Sequence, residues 1–275
     1  MRIRIGDLVV ALSDYQGAIP QEYSEFLSNN GAADLAFALH VGNIPHFPVD
    51  KAVFDSGTIW SCYKSGARYI FKDRPLRNKP SRLLMSIEPG FRLADVFVRY
   101  RDWFPFSYPL DHIITIHLLS RNNGILTHAC GINFKGKGIL FLGGSSAGKS
   151  TLAKLWNKKY KAQILNDERI IIRKKKSSFW IFGTPWHGEV RIFSADKAPL
   201  ETIFFIKHAQ ENQVRKLTSL EVSTRLIARS LSPYWDKSAM EQTLNSCADI
   251  AERIPAYELG FVPDERAVAF ILDLL

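Results

Sequence analysis

The 275-residue chain has little cysteine: Cys62, Cys130 and Cys247 stand far apart and form neither a disulfide framework nor a metal-binding spacing. They read as buried, inert thiols of a reducing compartment. No apolar run approaches the ~18 residues needed to cross a bilayer, and Met1-Arg2-Ile3-Arg4-Ile5-Gly6-Asp7 is not a signal peptide. The expectation is a cytoplasmic protein without a membrane partner. Internal repeats and low-complexity tracts are also missing. Hydrophobic residues make up 46% and aromatics 12%, enough for a buried core.

The net charge of +9 raises the question of nucleic acid, because Lys and Arg neutralise phosphates. Its positives are scattered, however. The sharpest run, Arg173-Lys174-Lys175-Lys176, lies between apolar stretches and reads as the solvated tip of a β-hairpin. Nucleic acid is therefore not the expected partner. A surface suited to ATP and to an acidic peptide accounts for the charge equally well.

The strongest signal is Gly143-Gly144-Ser145-Ser146-Ala147-Gly148-Lys149-Ser150-Thr151, which meets the pattern G-x-x-x-x-G-K-[ST] at every fixed position. A chain of this length matches by chance only about once in a hundred sequences. Gly138–Leu142 before it reads as a buried strand, and Leu152, Leu155 and Trp156 after it have helical spacing. Such a unit cradles phosphate oxygens on backbone N–H groups at a helix N-terminus. Gly143, Gly144 and Gly148 are expected to permit the required backbone angles and close approach. Lys149 would reach the β- and γ-phosphates of ATP, and the Ser150 hydroxyl would coordinate Mg²⁺.

Metal and base need further groups. Ala162–Ile172 reads as one strand carrying Asn166-Asp167-Glu168-Arg169, placed where a second carboxylate contact to Mg²⁺ belongs. On a strand Asp167 and Glu168 point to opposite sides, and the alternation favours Asp167 as the one facing the phosphates. His128 stands 15 positions before Gly143. Alone it is more simply a core histidine.

Taken together, His128-Ala129, the glycine-rich loop and Asn166-Asp167-Glu168-Arg169 resemble the HPr kinase/phosphorylase family, and more closely its smaller kinase relatives that accompany ribosomal-peptide modification. Gly183-Thr184-Pro185-Trp186-His187-Gly188-Glu189 and Tyr257–Asp264 add to the resemblance, which spans about residues 110–275. It implies that His128 and Asp167 form an acid/base pair, with Ser150, Asp167 and Glu168 around the metal. A hydrogen bond from His128 to Asp167 would orient the carboxylate or tune its pKa, and Trp186–Glu189 would either shape the acceptor side or form a structural turn with Trp186 packed. Glu168 replaces the second Asp of the bifunctional enzymes, Thr151 stands where they carry Glu, and their phosphorylase loop has no counterpart. The resemblance thus carries kinase activity and not phosphorylase activity. The bifunctional enzymes are assemblies, which leaves a homo-oligomer open here.

The expected fold is α/β: a P-loop kinase core of HPr kinase/PEP carboxykinase type with a mixed sheet over residues 105–275, preceded by a β-rich region over 1–104 in which acceptor recognition could reside. The leading functional expectation is transfer of the γ-phosphoryl group to a serine hydroxyl of a peptide or small protein. A small-metabolite kinase acting on free serine or a sugar, and a non-catalytic nucleotide-binding module, are the alternatives.

Overall fold

A computed structural model describes residues 1–49, 51–74, 80–188 and 191–275. The chain is a mixed α/β protein in two compact units, Met1–Leu118 with Pro233–Lys237 and Leu119–Ser232 with Ser238–Leu275. The division therefore falls at 118/119 and not at 104/105. Its physical reason is local: Phe104 and Phe106 are buried, their rings 5.0 and 6.1 Å from Tyr23, so the aromatic segment belongs to the first unit's core. No helix among the described residues is long and apolar enough to cross a membrane.

The first unit carries β1 (Arg2–Ile5), β2 (Leu8–Leu12), β3 (Leu35–Val41), β4 (Phe54–Asp55), β5 (Trp60–Ser65), β6 (Arg68–Asp73), β7 (Leu83–Ile87) and β8 (Leu93–Val98) in one sheet of order β1-β2-β3-β8-β7-β6-β5-β4. Among the described residues of this unit, only the β2–β3 and β3–β8 pairs are parallel. α1 (Leu110–Arg121) crosses the division.

In the second unit follow β9 (Gly124–Phe134), β10 (Lys137–Leu142), α2 (Lys149–Tyr160), β11 (Gln163–Asn166), β12 (Arg169–Lys175), β13 (Ser178–Phe182), β14 (Lys197–His208), β15 (Gln213–Lys216), α3 (Ser219–Ile227), β16 (Ser230–Leu231), α4 (Lys237–Arg253), β17 (Ala256–Phe261) and α5 (Glu265–Leu272). The sheet order is β10-β9-β12-β13-β14-β17-β15, and β10 also pairs in parallel with β14, so five strands close on themselves. β9 is long enough to pair with β10 through residues 129–134 and with β12 through residues 124–128.

The run Gly138–Leu142 is apolar without alternation because both faces of β10 are covered. Leu140 and Leu142 enter one core with Val222, Leu226 and Ile250 of α3 and α4. Ile139 and Phe141 enter another with Leu152 and Trp156 of α2 and Val268 and Ile271 of α5. Trp156 has no exposed surface and meets the Phe134 ring edge-on at 5.0 Å. Burying one such side chain stabilises by roughly 2–3 kcal/mol. The α2 face that includes Leu152 and Trp156 thus fixes the helix whose first residues form the site.

One expected element is corrected. Ala162–Ile172 is not a continuous strand, because it breaks at Asp167-Glu168 between β11 and β12. The fully buried Asn166 causes the break, its Oδ1 accepting from Glu168 N at 2.7 Å and Arg169 N at 2.8 Å. Asn side chains compete with ladder bonding in this way at turns.

Candidate active site

At the end of β10 the chain turns through residues 143–148 and enters α2 with Gly148 at its N-cap. Ser146 and Gly148 have φ of +63° and +91°. A Cβ at Gly148 would lie 2.7 Å from Phe261 Cζ, and one at Gly143 would lie 2.7 Å from Ala147 Cβ and 3.0 Å from the Ile206 carbonyl. Both positions need glycine. At Gly144 a Cβ would meet no other atom of the chain within 4 Å. No side chain caps α2, which leaves its first amides available to an anion.

Lys149 is buried and turned back on the loop, its Nζ donating to the Gly143 carbonyl at 3.2 Å and the Gly144 carbonyl at 3.0 Å. Burial lowers its pKa, opposed by the nearby Glu168 carboxylate. Across the cleft, Ser150 Oγ lies 3.3 Å from Asp167 Oδ2, and the Gly188 amide donates to Asp167 Oδ1 at 3.3 Å. Asp167 is only 4% exposed.

Glu168 has other partners. Its Oε1 accepts from Arg169 Nη1 at 2.6 Å, and its Oε2 lies 3.5 Å from His128 Nε2. Arg169 Nη1 also donates to His128 Nδ1 at 2.9 Å. That bond makes Nδ1 the acceptor and leaves the imidazole proton on Nε2, facing Glu168. Burial, then Lys149, Arg169 and Arg229, hold the His128 pKa below its usual value against the opposing pull of Glu168. The His128–Glu168 approach is therefore a neutral N–H meeting a carboxylate, not an ion pair.

These groups open on one cleft of about 650 Å³, lined by His128, Ser145 to Thr151, Asp167, Glu168, His187, Gly188 and His208. Among the expected phosphate-binding residues, Ser145, Ser146, Ala147, Gly148, Lys149, Ser150 and Thr151 line it. Gly143 and Gly144 line a separate cleft of about 230 Å³ with Arg225 and Arg229. Two further expectations are corrected. Because the chain bends at 167–168, both carboxylates line the cleft, whereas a strand would have sent them to opposite sides. His128 contacts Glu168 and Arg169 in place of Asp167, so Arg169 belongs to the cluster.

The Gly183–Gly188 segment supports this bend. Asn166 Nδ2 donates to the Thr184 carbonyl at 2.9 Å, and Thr184 Oγ1 donates to the Arg169 carbonyl at 2.7 Å. His187 and Gly188 reach the cleft, while Trp186 is half-buried and Glu189 lies outside the described residues. His208 was not expected. It ends a strand more than fifty residues beyond the loop, and no local pattern ties it to phosphate.

The donors facing each other across the cleft are hydroxyl and carboxylate oxygens at Ser150 and Asp167, hard ligands suited to Mg²⁺ shared with a phosphate. Among the described residues no group of three or more His, Cys, Asp or Glu could hold a metal by itself.

No match is found among curated proteins. The solved structure of the Hpr(Ser) kinase/phosphatase from Coxiella burnetii is 12% identical, covers 54% of this chain and 92% of its own, and superposes with a TM-score of 0.31, which carries no inference. The family described as SynChlorMet cassette protein ScmC matches residues 110–262, which include the loop, His128, the carboxylates and the Thr184 element. With more than half of its residues matched, the chain belongs to the ScmC family.

Proposed function

We propose that this protein is an ATP-dependent kinase that transfers the γ-phosphoryl group to a serine hydroxyl of a peptide or small protein. One observation carries the reading: a glycine-rich loop with an uncapped helix start shares a cleft with two carboxylates, and Ser150 Oγ stands 3.3 Å from Asp167 Oδ2. The loop amides and Lys149 bind and orient the triphosphate. Ser150, Asp167 and Glu168 would hold Mg²⁺, which when bound would supply neutralising charge to the phosphates. Asp167 accepts the proton of the attacking hydroxyl. Family membership in a cassette is consistent with an acceptor that is another product of that cassette.

The contact of His128 with Glu168 favours a second assignment of the proton. There Glu168, oriented by His128 and Arg169, is the acceptor and Asp167 serves the metal alone. Transfer from γ-labelled ATP to a panel of serine peptides, free serine and sugars, with Asp167→Asn and Glu168→Gln, separates these readings. Loss of about 10²–10⁴-fold in Asp167→Asn with nucleotide affinity kept supports the first. A comparable loss confined to Glu168→Gln supports the second. Transfer to small alcohols alone refutes the peptide acceptor, and nucleotide binding without turnover on any acceptor refutes the kinase.

A further inference from the structure

β10, β14 and β17 are parallel neighbours, so their carboxyl ends lie along one edge of the sheet. β10 delivers the loop, β14 ends at His208 and β17 ends at Phe261. Ligands of α/β sheets bind outside such ends. Gly148 brings the three ends into contact: a Cβ there would lie 2.7 Å from Phe261 Cζ and 3.3 Å from His208 Cε1. The loop backbone therefore rests directly against both rings.

The His208 imidazole is held at two places. One face stacks on the buried Phe261 ring, with centroids 5.7 Å apart and planes 26° from parallel. On its edge, Nε2 donates to the Ser146 carbonyl at 2.9 Å. The residue is nonetheless exposed and lines the same cleft as the loop. The ring thus offers a fixed aromatic surface beside the loop. His128, Asp167 and Glu168 make their contacts without it.

We propose that His208 is the platform on which the base of the bound nucleoside triphosphate stacks. The proposal rests on the nucleotide reading above and adds what a phosphate loop lacks, a contact that tells a nucleotide from a bare polyphosphate. Base–aromatic stacking is strong enough to change affinity by about tenfold or more per base.

The test measures calorimetric affinities of the full chain, with Mg²⁺, for ATP and for inorganic tripolyphosphate, in wild type, His208→Ala and His208→Phe. Wild type should bind ATP more tightly than tripolyphosphate. His208→Ala should lose about tenfold for ATP while tripolyphosphate stays within about twofold. His208→Phe keeps an aromatic face without the bond to Ser146 and should retain ATP. Equal loss on both ligands in His208→Ala would assign the side chain to loop support and overturn the proposal, as would unchanged ATP binding or a His208→Phe that falls as far as His208→Ala. Wild type binding neither ligand would remove the nucleotide reading and this proposal together, whereas tripolyphosphate held as tightly as ATP would remove this proposal alone.

Discussion

Removing the Asn166 side chain tests how the two carboxylates are held. Asn166 is fully buried and makes three bonds, accepting from Glu168 N and Arg169 N and donating to the Thr184 carbonyl. Asn166→Ala deletes all three and leaves two amides and a carbonyl without these partners. At about 1 kcal/mol for each bond, the loss is about 3 kcal/mol. For a unit of this size 1 kcal/mol shifts the melting temperature by roughly 2–4 °C, so a fall of roughly 6–12 °C is expected by scanning calorimetry. Activity should fall further than stability at the assay temperature. On the proposed function, displacing Asp167 and Glu168 by about 1 Å should cost around 10²-fold in phosphoryl transfer. Asn166→Asp provides the control, because it keeps the acceptors for the two amides and loses only the donor to Thr184 while adding charge. A melting temperature within about 1 °C of wild type together with intact turnover would show that the bend is held by other contacts, and the argument would fail.

Other outcomes follow from the same contacts. Lys149→Ala should abolish measurable ATP binding by calorimetry, since it removes the charge beside the loop, and retained affinity would displace Lys149 from its role. Gly148→Ala forces φ +91° on a residue with a Cβ and drives it toward Phe261, so it should lose tripolyphosphate binding and melt earlier. Gly144→Ala meets open space and should change unfolding by less than about 0.5 kcal/mol. A reversal of that order would contradict the loop geometry. The three buried cysteines have raised pKa values, Cys247 to about 11, chiefly through burial. Ellman's reagent should therefore find no reactive thiol at pH 8 until denaturant is added, and rapid native reaction would place a thiol at the surface.

Much of the second unit was legible in the sequence because its signals are local. The loop pattern and the apolar run ahead of it mark β10 and α2, and Lys176 and Ser177 form the tip of the β12–β13 hairpin as the charge run suggested. The break after Asn166 was not legible, since an Asn at a strand end looks the same whether its side chain faces water or bonds two residues ahead. The alternation used to choose between Asp167 and Glu168 held only for an unbroken strand, and with it went the pairing of His128. β17 and β15 were missed because their pairing depends on contacts with β14 and with each other across long stretches of chain. β1 was discernible in principle, as Ile3 and Ile5 alternate with arginines, and both isoleucines are buried.

β10 has paired strands along both edges and packed side chains above and below it. Its amides should therefore exchange among the slowest of the unit, at residues 139–142. The phosphate cradle is thus mounted on the last part of the unit to yield. On the proposed function, nucleotide affinity should therefore persist on warming until the unit itself melts, a coincidence that binding and exchange measured over one temperature range would check.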